Sequence, residues 1–156
     1  MRIWPTDPAP ALEAAFRAIA TGPMADVPIC NAALAVEAVG FRRGPTGHWV
    51  GALVTPWAIN LLCLPAGDAW PAEPVGGKLD WRFPSGDYEF MVAEEASLGR
   101  YHLCSLFSPA LEFESHEAAR LTALAAVEAL FQVPLAAPPA TPAPPPSRRA
   151  FLGLRG

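Results

Sequence analysis

WVGALVTPWAINLLCLPAG, Trp49 to Gly67, runs for nineteen residues without a charge. How it is read decides the fold. Its length approaches the roughly 20 residues of a membrane-spanning helix. Gly51, Thr55, Pro56, Asn60 and Pro65 interrupt the run, however, and no basic residues flank it. The run therefore divides into two buried strands, WVGALV and AINLLCL. They are parted at Thr55-Pro56-Trp57, where proline cannot donate to a ladder. No stable membrane insertion is expected.

Reading outward, RRGPTG (42–47) is turn chemistry, so LAVEAVGF (34–41) is the natural hairpin partner upstream. Downstream, PAGDAWPAEPVGG (65–77) is a long loop carrying Trp70. KLDWRF (78–83) and YEFMVAE (88–94) alternate around the turn signal Pro84-Ser85-Gly86-Asp87. YHLCSLF (101–107) has period two, with Tyr101, Leu103, Ser105 and Phe107 on one face.

Helices bracket the strands. ALEAAFRAIA (11–20) sets Leu12, Phe16 and Ile19 on one side, with Glu13 and Arg17 one turn apart, and stops at Gly22-Pro23. Ser115 caps a second helix whose inner face is expected to carry Leu121, Leu124, Ala125, Glu128 and Phe131. The fold class is α+β: an antiparallel sheet flanked by an N-terminal and a C-terminal helix. Residues 1–133 form the globular domain. From Pro134 to Pro146, seven of thirteen residues are proline, which predicts a disordered, polyproline-like spacer. The second segment is thus 134–156, a linker with a basic end.

The net charge of −4 hides an asymmetry. Residues 1–133 hold all fifteen carboxylates and eight of the eleven Lys and Arg, a balance of −7, which leaves +3 on the tail. An acidic body excludes nucleic acid as a partner, since phosphate needs a basic patch. It suits a cationic one. MRIWPTDPAP lacks the apolar core of a signal peptide, and three cysteines without a C-x-x-C make no disulfide framework. A reducing cytoplasm is the expected location.

Catalytic signals are sparse. Cys30, His48, Cys63, His102, Cys104 and His116 lack metal-ligand spacing, and no phosphate-cradling or nucleophile-elbow motif occurs. His102 and Cys104 share a strand face but stand roughly 7 Å apart, at ~3.3–3.4 Å per residue. A small thiol-dependent enzyme using Cys104 or Cys63 is the alternative to a binding protein. No cofactor is expected. Five tryptophans either cap the core or line an apolar groove for a peptide. The candidate peptide-binding residues are Trp57 and Trp70, with the carboxylates Asp87, Glu89, Glu94 and Glu95.

Three segments jointly resemble the HybE/HupJ family of [NiFe]-hydrogenase assembly chaperones. They are Val54-Thr55-Pro56-Trp57, Phe83-Pro84-Ser85-Gly86 and Tyr101 to Pro109 (YHLCSLFSP), with Leu64-Pro65-Ala66-Gly67 and Trp70 between the first two. The likeness runs over residues 11–152. It implies a non-enzymatic cytoplasmic role on a hydrogenase before export. The implied partners are the small-subunit precursor with its twin-arginine signal and also the large subunit. Some hydrogenase accessory proteins carry a rubredoxin domain, but this chain lacks its two C-x-x-C pairs, so iron is not inferred.

The tail sharpens that expectation. Ser147-Arg148-Arg149-Ala150-Phe151-Leu152 resembles the core of a twin-arginine signal, yet only four residues follow it. Either it is a basic tail that aids solubility, or Ser147, Arg148, Arg149, Phe151 and Leu152 mimic the partner's signal and occupy its groove.

Overall fold

The computed structural model describes residues 2–134. Eight elements follow in order: α1 (Ala9–Thr21), β1 (Glu37–Arg43), β2 (Trp49–Val54), β3 (Ile59–Leu64), β4 (Lys78–Phe83), β5 (Gly86–Glu95), β6 (Gly99–Phe107) and α2 (His116–Leu130). The uncharged run is a hairpin of two buried strands. At its turn the Thr55 N–H donates to Ala58 O at 2.9 Å, and Thr55 Oγ1 accepts from the Ala58 N–H at 3.0 Å. The threonine hydroxyl also donates to Ala58 O at 2.9 Å, so it supplies a donor in a turn where Pro56 has none. No helix among the described residues is long and apolar enough to cross a membrane.

All six strands join one antiparallel sheet in the order β1-β2-β3-β6-β5-β4. The two helices lie on opposite faces, because each face carries its own buried cluster. Val39, Ala52, Ile59, Leu61, Trp81, Phe83 and Phe90 pack with Ala119, Ala123, Val127 and Leu130 of α2. On the other side Leu53, Leu62, Leu64 and Tyr101 pack with Leu12 of α1 and with Trp4. Glu13 fastens α1 to the sheet by accepting the Ala38 N–H at 2.9 Å.

Three expectations shift. β1 begins at Glu37 rather than Leu34, although Leu34 and Val36 are still buried. The buried face of α2 is Ala119, Ala123, Val127 and Leu130. Of the expected residues, Leu124 and Phe131 pack partly buried against that core, whereas Leu121, Ala125 and Glu128 are exposed. The small residues, not the large ones, mark the seam because the helix lies close to β1. A Cβ on Gly40 (φ 67°) would sit 3.1 Å from Leu124 Cδ1 and 3.6 Å from Val127 Cβ. Lastly, the β3–β6 register shifts between Ile59 and Asn60, which takes Phe107 off the face shared by Tyr101 and Leu103. A one-residue bulge inverts side-chain direction. Ser115 caps α2 as expected, accepting the Ala118 N–H at 3.1 Å.

Candidate functional site

The loop between β3 and β4 is tied down by a buried histidine. His48 Nδ1 accepts the Ala66 N–H at 2.9 Å, so its proton resides on Nε2, which donates to Ala69 O at 2.6 Å. Held in this way, the loop lays Trp70 flat on His102, ring centroids 4.2 Å apart. His48 meets the Trp70 ring edge-on at 5.0 Å, and Trp81 lies 5.4 Å from it. Four rings, from β4, β6, the residue just before β2 and one loop, thus form a single aromatic cluster.

His102 is the chemical centre of that cluster. It is 1% exposed, and its Nδ1 accepts the Trp81 indole N–H at 2.9 Å. Accepting at Nδ1 fixes the neutral tautomer with the proton on Nε2. Nε2 has no hydrogen-bond partner among the described residues. Burial, and secondarily His48, pushes the His102 pKa down from 6.5 to about 4, so the ring is a neutral donor at physiological pH.

Beside it opens a cleft of about 290 Å³, walled by Trp70, Pro71, Val92 and His102. Ala72, Glu73 and Arg100 complete the lining. Arg100 donates to Glu73 O at 3.2 Å, and its Nε lies 3.9 Å from a Glu94 carboxylate oxygen. Trp70 and Glu94, both expected peptide contacts, therefore meet at one place.

The other expected contacts are elsewhere. Trp57 is at the β2–β3 turn, lining an open hollow of about 400 Å³ with Met24, Val27 and Pro28. Asp87 and Glu89 project from the opposite face of β5, with Asp87 paired to Arg82 at 3.0 Å. Glu95 turns inward on its own loop, accepting from the Ser97 N–H at 2.7 Å and the Leu98 N–H at 3.2 Å. The tail residues Ser147, Arg148, Arg149, Phe151 and Leu152 lie outside the described residues.

On the α1 side, the β4–β5 end of the sheet is open. Lys78, Asp80, Arg82, Asp87, Glu89 and Met91 are all exposed there. Asp80 stands directly opposite Glu89 in the register. Like charges facing each other across two strands repel, and neither carboxylate has an ion-pair partner among the described residues. A guanidinium or ammonium placed between them relieves that repulsion.

The thiols show no activation. Burial raises the Cys63 pKa well above 9.0, and burial followed by Glu89 raises that of Cys104. Raised values hold both sulfurs as thiols rather than nucleophilic thiolates. Cys63 faces His102 across β3 and β6, yet the histidine's only bond among the described residues is to Trp81. No cluster of three or more His, Cys, Asp or Glu among the described residues is placed to hold a metal.

Comparison with known proteins agrees with this architecture. Residues 7–154 match the family model described as "[NiFe]-hydrogenase assembly, chaperone, HybE". The chain is 43% identical to the protein HoxT of Cupriavidus necator, over 90% of this chain and 85% of that one. It is 46% identical to the hydrogenase expression/formation protein HupJ of Bradyrhizobium diazoefficiens, over 76% of this chain and 69% of the relative. The solution structure of HybE from Escherichia coli superposes with a TM-score of 0.69 at 27% identity, covering 97% of this chain and 92% of HybE.

Proposed function

The chain belongs to the HybE family of [NiFe]-hydrogenase assembly chaperones, and from that premise we propose that it grips a hydrogenase small-subunit precursor by its twin-arginine signal peptide. In this reading it works in the cytoplasm, contacts the large subunit as well, and delays export until the metal centres are in place. It is a binding protein, not an enzyme. The raised thiol pKa values support that choice over a thiol-dependent reaction.

The observation that carries the reading is the facing pair Asp80 and Glu89 on the open end of the sheet, beside exposed Met91 and half-buried Leu103. Two facing carboxylates without an ion-pair partner among the described residues, next to apolar side chains, suit a peptide that joins paired arginines to bulky apolar residues. The body's −7 steers such a peptide towards it.

Titration of the full chain with the small-subunit precursor, with and without its signal sequence, tests this. Binding should need the signal, weaken with salt, and fall when Asp80→Asn and Glu89→Gln are combined. Equal binding of the precursor lacking its signal would place recognition on the folded subunit instead.

A further inference from the structure

Two buried polar atoms lack a hydrogen-bond partner among the described residues, Trp4 Nε1 and His102 Nε2, and of these His102 lines a cleft. His102 Nε2 carries a proton, is buried, and has no acceptor among the described residues. An unsatisfied buried donor is costly and persists where a site needs it. Here the histidine lines a cleft with Trp70, Pro71, Ala72 and Val92, and with Glu73 and Arg100 at its rim. At about 290 Å³ that space lies at the lower bound of small-molecule pockets, a size suited to one large side chain. Glu73 and Glu94 at the rim outnumber Arg100, so an anion is disfavoured and an uncharged acceptor is preferred.

We propose that this cleft anchors one bulky apolar residue of a bound polypeptide, whose backbone carbonyl accepts the proton of His102 Nε2. The proposal rests on the peptide-binding reading above and names a second, separate site for such a peptide on the other face of the sheet. In a sequence such as Ser-Arg-Arg-Ala-Phe-Leu, the phenylalanine fills the cleft and the acidic rim receives a neighbouring arginine. Trp70 acts as the cover. It stacks on His102 at 4.2 Å, so the carbonyl reaches Nε2 only as the indole moves aside, while the loop stays hung on His48 through Ala66 and Ala69.

The test uses the full chain and two probes, the peptide GSRRAFLG and the uncharged amide N-acetylphenylalaninamide. Each is titrated while the ring 15N and 1H signals of His102 are followed by NMR. Both probes should shift the Nε2 signals, and Phe→Ala in the peptide should abolish that shift and weaken binding about tenfold, as loss of a buried aromatic anchor does. Ala72→Phe, which crowds the same cleft, should act likewise without lowering the unfolding midpoint.

Peptide binding with unmoved His102 signals and unchanged affinity in Ala72→Phe would overturn the anchor while leaving the signal-peptide reading intact. Binding of the amide at His102 without any peptide binding would support the anchor and remove the signal-peptide reading. Silence of His102 towards both probes would mean that Nε2 meets buried water only, and the inference would fall.

Discussion

Trp81 donates its indole N–H to His102 Nδ1 across 2.9 Å, joining the edge strand β4 to β6 over the intervening β5. This bond sets the tautomer of a histidine that burial keeps neutral. It links the sheet's cohesion to a proton.

Stability should therefore depend on pH in a defined window. The folded pKa of about 4 lies below the ordinary 6.5, so between these values the unfolded chain binds a proton that the folded chain does not. The contribution is complete above pH 6.5 and is lost as pH falls towards 4. At about 1.4 kcal/mol per pKa unit it amounts to ~3 kcal/mol. Denaturant unfolding of the wild type and His102→Phe across pH 4–7 checks this. The variant should show a shallower fall, and parallel profiles would assign the pH dependence to other groups.

Gly51 is held by a neighbour's ring. A Cβ there would run into the Phe41 ring at Cδ1 and Cγ, because Phe41 lies over the glycine on the α1 face. Gly51→Ala should lose about 1–3 kcal/mol, the range for overpacking a filled core. Combining it with Phe41→Ala should cost less than the two single changes summed, since the clash is removed. Additive losses in unfolding free energy would refute the contact.

Much of this architecture was legible in the chain. Pro56 and the breakers around it divided the uncharged run into strands, and Ser115 announced α2. The inner face of α2 was not, because Ala119 and Ala123 contribute through closeness rather than size. Hydrophobicity alone points to Leu121. Phe107 was misplaced for a similar reason, since a bulge leaves no compositional mark. At the site, Trp70 and Glu94 were named from the sequence as peptide contacts, whereas His48 and His102 were weighed only as metal ligands or catalytic groups and Trp81 was not singled out. Their roles depend on tautomers and on a register joining β3, β6, β5 and β4, and neither is written in local pattern. The nearest signal was His102 itself, a polar residue mid-strand in YHLCSLF.

Both sheet thiols should prove structural. With pKa values raised by burial, Cys63 and Cys104 should alkylate slowly at pH 8 in the folded chain and quickly once it unfolds. Cys104→Ala should leave hydrogenase maturation intact in cells. Cys63→Ala, at a 2% exposed position, should cost about 1 kcal/mol or more in stability as a small core deletion. A folded Cys104→Ala chain that cannot support maturation would restore the enzyme alternative.

The tail makes the most exposed prediction. Phe131, just past α2, packs edge-on against Phe83 at 6.0 Å, and Leu130 O accepts the Ser85 N–H at 3.1 Å. The chain thus leaves the body beside the β4–β5 turn, next to Arg82 and Asp87 and along the strands from Asp80 and Glu89. A thirteen-residue proline-rich spacer in the polyproline form expected from its sequence would reach about 40 Å at ~3.1 Å per residue, enough to bring Arg148 and Arg149 to that face. Tethering at such a distance gives a millimolar-order effective concentration, so even a weak contact competes with a peptide from outside. Truncation after Val133 should change stability by no more than about 1 kcal/mol, since every amphipathic element precedes it. Removing residues 147–156 should strengthen binding of a labelled twin-arginine peptide, and Arg148→Ala with Arg149→Ala should do nearly as much. The gain should shrink as salt rises, because charges exposed at the surface are screened within about 10 Å at 0.1 M. Equal affinities for the full and shortened chains at one ionic strength would leave the tail as a solubilising appendage.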